Sequence, residues 1–118
     1  MSPTPRPAPV TILVTRNGMG TADPELAHKL AGTYFSLLEL QDLLPQAICF
    51  YAEGIRLVTE GSPILEELQA LQDKGVRLVV CGTCVNHYQV AEKVKVGRIG
   101  SMKDIVAAQW ESEKVITL

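Results

Sequence analysis

The sequence predicts an α/β fold in which βαβ crossovers build a mostly parallel sheet. Three observations predict it. Short apolar runs rich in Val, Ile and Leu alternate with longer segments whose apolar residues recur every three or four positions. Helical segments open on cap signatures, and one of them closes on a glycine. Aromatic residues are only 5% of a chain that is 47% hydrophobic, so aliphatic side chains fill the core. That suits a sheet buried on both faces. Alternating strands and helices with right-handed crossovers then give a mostly parallel arrangement.

The elements follow in order. Residues 1–9 hold Pro3, Pro5, Pro7 and Pro9 and read as a proline-rich flexible tail, so the folded domain is expected over residues 10–118. Val10-Thr11-Ile12-Leu13-Val14-Thr15 is the first strand, followed by a loop bearing Gly18 and Gly20. Asp23 and Pro24 give an N-cap and a first helical residue. Leu26, Ala27, Leu30, Ala31, Tyr34, Leu37 and Leu38 then carry a helix over about residues 24–40. Pro45 precedes a second strand over residues 46–51. Residues 52–61 hold Gly54 and Gly61 and read as either a short strand or an irregular helical turn. Ser62-Pro63 repeats the cap signature before Ile64, Leu65, Leu68 and Leu71, and Gly75 closes that helix. The run from Val76 to Cys81 is a third, buried strand. Val85, Val90, Ala91 and Val94 suggest a short helix, and residues 97–100 a weak fourth strand. Ser101 and Asp104 form a capping-box pattern, with Met102, Ile105, Val106 and Trp110 as the apolar side of the last helix. Residues 114–118 complete a five-stranded sheet.

Charge and composition narrow the function. A chain of 118 residues is one domain by the usual prior. The formal charge is −2 and the basic residues are scattered, which leaves no stripe for nucleic acid and no polybasic membrane patch. No apolar run reaches the length of a membrane-spanning helix. The proline-rich start does not read as a signal peptide. Three cysteines cannot all pair within one chain. A reduced, cytoplasmic protein is the expectation.

The chemistry is expected at Cys81-Gly82-Thr83-Cys84. A strand that runs into a helix through this turn places a sulfur where strand carboxyl ends meet a helix amino end. In open α/β sheets ligands bind along that edge. The first helical amides point back at Cys81 and favour negative charge on its sulfur. Gly82 permits the sharp turn, and Thr83 adds a hydroxyl donor. Cys84 reads equally as a small buried side chain or as a functional thiol. Cys49, between Ile48 and Phe50, reads as a core residue. A thioredoxin-type reading lacks the early motif and the later cis-proline. A zinc reading through Cys81, Cys84 and His87 lacks a second ligand pair. His87, one turn after Cys84, reads as a surface residue beside Tyr88 or as a proton donor to the thiolate. His28, inside the first helix, carries no expected role. Asn17 and Gly18 end the first strand on the same sheet edge as Cys81, where they could line a pocket. Glu60 approaches that edge and would contact a substrate or partner, because a carboxylate close to a thiolate would disfavour its charge.

The runs Val10 to Val14, Gly54 to Ser62 and Val76 to Cys84 resemble the DsrE-like family of sulfur-handling proteins, and within it the C-terminal domain of YedF-like proteins. The resemblance covers nearly all of residues 10–118. It implies a three-layer α/β sandwich with a five-stranded, mostly parallel sheet. It implies that Cys81 is the nucleophile and carries a persulfide, with Cys84 resolving that persulfide or tuning its reactivity. Gly82, Thr83, Asn17, Gly18, Glu60 and His87 would contact the bound sulfur species. YedF-like proteins commonly carry a sulfur-carrier domain where this chain has proline-rich sequence, so the sulfur donor or acceptor would be another protein or a small sulfur species. Homo-oligomers are common among such proteins and are implied here too. No metal and no cofactor is expected. The rival expectation is a non-catalytic module that binds a small ligand or partner and senses redox state through Cys81 and Cys84.

Overall fold

The computed structural model describes residues 7–118. Its strands are β1 (Ala8–Val14), β2 (Pro45–Phe50), β3 (Arg77–Cys81), β4 (Arg98–Gly100) and β5 (Lys114–Thr117). Its α-helices are α1 (Pro24–Leu40), α2 (Leu65–Asp73), α3 (Gly82–Tyr88) and α4 (Met102–Glu111). Two 3-10 turns cover Ala52–Val58 and Ala91–Lys93. The sheet order is β4-β3-β2-β1-β5. Every neighbouring pair is parallel, so the expected mostly parallel sheet is wholly parallel.

Alternation along the strands sets the layers. Ile12, Val14, Ile48, Phe50, Leu78 and Val80 face one side, against Ala31 and Phe35 of α1 and Leu68 and Leu71 of α2. Leu13, Ala47, Cys49 and Cys81 face the other side, against Ile105 and Ala108 of α4. The buried Thr11 belongs to this second side. Its hydroxyl donates to the Ala108 carbonyl at 3.1 Å, which satisfies a polar group that burial would otherwise strand. The result is the expected three-layer sandwich, with α1 and α2 over one face and α4 over the other.

Local signals explain most element ends. Asp23 caps α1 through a 3.1 Å hydrogen bond from the Leu26 amide to its carboxylate. The Ser101–Asp104 capping box forms in full at α4. The Ser101 amide and hydroxyl hold the Asp104 carboxyl below its usual range. Residues 52–58, undecided from sequence, form the first 3-10 turn.

Other expectations need correction. The Ser62-Pro63 signature does not cap α2. The Ser62 hydroxyl accepts from the Ile64 amide at 3.3 Å, and the helix begins only at Leu65. The first strand begins at Ala8, two residues early. Pro9 fits there because the β1–β2 register is broken between Ala8 and Thr11, and its carbonyl accepts from the Glu113 amide at 2.9 Å. Of the rest of the expected tail, Pro7 is exposed, and residues 1–6 lie outside the described residues. The leucine stripe of α1 also divides. Ala27, Ala31 and Phe35 face the core, while Leu26, Leu30 and Leu37 stay exposed. On α4 only Ile105 and Ala108 are buried, and Met102, Val106 and Trp110 point outward. Among the described residues, no helix is long and apolar enough to cross a membrane.

Candidate functional site

The β-branched run of β3 ends at Cys81, which is also the N-cap of α3. The turn is tight because Gly82 lies under β4. A Cβ on Gly82 would sit 2.8 Å from the Gly100 carbonyl oxygen. The sequence reading gave Gly82 a part in binding; the structure gives it this packing reason to be glycine.

The Cys81 sulfur accepts two hydrogen bonds, from the Cys84 amide at 3.4 Å and from the Cys84 thiol at 3.0 Å. The expected meeting of sulfur and helical amide is therefore present. The sulfur is nevertheless not open to solvent. Cys81 is 0% exposed, because the Cys84 side chain one turn later closes over it. Cys84 is half-buried and is the outer thiol of the pair. Burial raises the Cys84 thiol above its ordinary range, and its hydrogen bond to Cys81 raises it further, while the Ala52 amide pulls the other way. Cys49 is core, as expected; burial pushes its thiol up to about 11.

Ala52, which the sequence reading did not single out, donates its amide to the Cys84 sulfur at 3.2 Å. It has φ +52°, a left-handed conformation that alanine adopts at a cost. The strain aims an N–H at the sulfur. Gly54 makes this placement possible. Its amide donates to the Tyr51 carbonyl at 3.0 Å, and its bare Cα lies against the end of β1. Beside these groups stand Glu53, Arg56 and Tyr88. The Arg56 guanidinium lies 4.6 Å from the Tyr88 ring centre and pairs with Glu53 at 3.4 Å. A hydrogen bond to Glu53 raises the Tyr88 phenol, and burial adds to it. A proline-free, glycine-bearing segment after a strand was the only sequence signal for this cluster, and nothing in it pointed to position 84, which lies 32 residues away.

The remaining candidates are divided. Asn17 shares a crevice of about 420 Å³ with Glu53 at the carboxyl edge of β1 and β2, and its side chain bonds His28 at 3.1 Å. Gly18, with φ +145°, is buried against Ala27 and leaves no room for a Cβ. It packs against α1 and is not among the residues that line the crevice. Thr83 and His87 are exposed, and no hydrogen bond joins either to the sulfurs among the described residues. His87 packs edge-on against Tyr88 at 5.0 Å. Glu60 is exposed, and its amide donates to the Lys93 carbonyl at 2.8 Å. A larger hollow of about 770 Å³ follows the outer edge of β3 and β4 beside α4 and is lined by neither Cys81 nor Cys84.

Accessibility gives a testable order of reactivity. Brief iodoacetamide treatment should label Cys84 first, Cys81 later and Cys49 last. The Cys84 rate should still be climbing as pH rises past about 9, because its raised thiol ionises late. Peptide mass spectrometry over a pH series reads both. Labelling of Cys49 ahead of Cys84 would contradict this geometry.

Comparison with known proteins agrees with the fold. The ychN protein from E. coli is 14% identical, with a TM-score of 0.73 over 96% of this chain and 100% of that one. MTH1491 from Methanobacterium thermoautotrophicum is 16% identical, with a TM-score of 0.67 over 92% of this chain and 97% of the other. BT1422 from Bacteroides thetaiotaomicron is 15% identical, with a TM-score of 0.63 over 92% and 93%. The last two are described as proteins of unknown function. No curated protein matches the sequence. The DsrE/DsrF-like family model matches residues 9–118, nearly the whole chain, and this protein belongs to that family.

Proposed function

We propose that this protein carries sulfane sulfur as a persulfide on Cys81 and relays it to a partner. The family is associated generally with sulfur relay. The observation that carries the reading is the pair of free thiols in contact at 3.0 Å, one buried and one half-buried, at the end of β3. The burial of Cys81 favours an order of steps that begins at Cys84. The Cys84 thiolate attacks the outer sulfur of a donor persulfide R–S–SH. The donor S–S bond breaks, and R–S⁻ takes the proton that Cys84 gave up. Cys84 then holds the added sulfur. The Cys81 thiolate attacks that same outer sulfur, and Cys84 leaves and regains a proton. The sulfur keeps its oxidation state throughout, and the Cys84 sulfur that would carry the added atom lies 3.0 Å from the Cys81 sulfur that takes it next. The Cys84 amide meets charge on the Cys81 sulfur.

An acceptor thiol would take the sulfur by the same exchange. The partner is a sulfur donor or acceptor protein or a small sulfur species. Self-association is part of this reading. Met102, Val106 and Trp110 recur every four residues along α4 and are 46%, 44% and 85% exposed, which suits contact with another chain.

The test is mass spectrometry of the intact protein after incubation with a cysteine desulfurase charged with cysteine. One added sulfur atom that dithiothreitol removes is expected. A second reading is favoured by the same contact. Thiols this close need little movement to form a disulfide, so a binding module with a redox-sensitive pair is the rival. Loss of two hydrogens with no gain of sulfur would select it.

A further inference from the structure

We propose that the 420 Å³ crevice walled on one side by Glu53 binds a zwitterionic amino-acid persulfide, with Arg16 taking its carboxylate and Glu53 its ammonium group. The proposal rests on the sulfur-carrying reading above and names its small-molecule donor.

The crevice is lined by the loop after β1 and by the segment after β2. Thr15, Arg16, Asn17, Thr21 and Glu53 supply its polar side chains. Its volume falls in the range of small-molecule sites, about 300–1,000 Å³. Opposite charges stand in one hollow. Arg16 makes no ion pair among the described residues, and its guanidinium bonds only the Thr21 hydroxyl, so most of its donors are open. Glu53 is steadied by Arg56, which meets a single carboxylate oxygen, and by Tyr88. A carboxylate has about four acceptor positions, so capacity remains for an ammonium group. An inorganic sulfur anion would find Arg16 attractive and Glu53 repulsive. A zwitterion satisfies both.

The position of Glu53 links the crevice to the chemistry. It directly follows Ala52, whose amide bonds the Cys84 sulfur at 3.2 Å. A ligand held by its head group between Arg16 and Glu53 would extend its side chain past Glu53 toward the half-buried thiol that the Ala52 amide contacts. Transfer follows the exchange described above. The free amino-acid thiol leaves as its S–S bond breaks, and the new S–S bond forms at Cys84.

Two measurements test this. S-methyl-L-cysteine, a zwitterion that cannot donate sulfur, should slow iodoacetamide labelling of Cys84 in a saturable way. Arg16→Gln should raise the concentration needed by about 10- to 100-fold, the loss expected for a charge-assisted contact, and Arg16→Lys should recover part of it. Loading from cysteine persulfide should show the same shift in half-saturating concentration. Equal protection of the native protein and Arg16→Gln at matched thermal stability would overturn the proposal and leave the carrier reading standing. Protection without loading from any donor would overturn the carrier reading and keep the ligand site.

Discussion

Cys81→Ser should lose sulfur transfer by about 10³-fold or more, the scale seen when a nucleophile is removed from a site that acts as a unit. Cys84 remains in that variant and can still meet a donor. Its persulfide would have no inner thiol to receive the sulfur and would stay half-buried, open to any thiol in solution. Cys84→Ser should behave differently. It should load slowly, because the outer thiol is gone. Once loaded it should keep its sulfur, because no second thiol stands 3.0 Å away to displace it. In the native protein, attack by Cys84 on the inner Cys81 sulfur would release hydrosulfide. The two cysteines would be oxidised to a disulfide and the sulfane sulfur reduced to sulfide. Time courses of intact mass after donor removal separate the three proteins. Retention of sulfur by Cys81→Ser equal to the native protein would move the store to Cys84.

Gly54→Ala should be the most damaging small substitution outside the cysteines. The added methyl would lie 2.6 Å from the Val14 carbonyl carbon and closer still to its oxygen. Both partners are backbone, on a buried strand paired on both sides, so neither can yield cheaply. A cost of about 3–4 kcal/mol is expected, in the upper part of the range for single substitutions. For a domain of this size that lowers the melting temperature by about 10–15 °C. The same shift would displace the turn that aims the Ala52 amide at Cys84, so sulfur loading should fall even below the melting range. A melting temperature within a few degrees of the native value would show that the 3-10 turn moves aside freely.

Some of this was legible in the sequence. The Val76 to Cys81 run and its small-residue turn state a buried strand and a sharp exit. The Asp23-Pro24 and Ser101–Asp104 signals state where α1 and α4 begin. Periodicity could not say which side of those helices is buried. Close approach of α1 to the sheet selects Ala27 and Ala31, with Phe35 filling the gap, over the larger Leu26, Leu30 and Leu37. The strength of the Ser62-Pro63 signature was misleading, because the Ser62 hydroxyl serves a local turn. At the site, the chemistry of Cys81 follows from its place at a strand end. Its burial depends on the rotamer of Cys84 and on Ala52, a contact that no local pattern encodes.

The outward face of α4 has an optical consequence. The chain has one tryptophan, and Trp110 is 85% exposed. Its emission in the isolated chain should resemble that of an indole in water, so unfolding should barely change its colour and intrinsic fluorescence should follow denaturation poorly. Any event that covers α4 would shift the emission to the blue and shield it from iodide. The same residue that is a weak reporter of folding is thus a sensitive reporter of one chain meeting another.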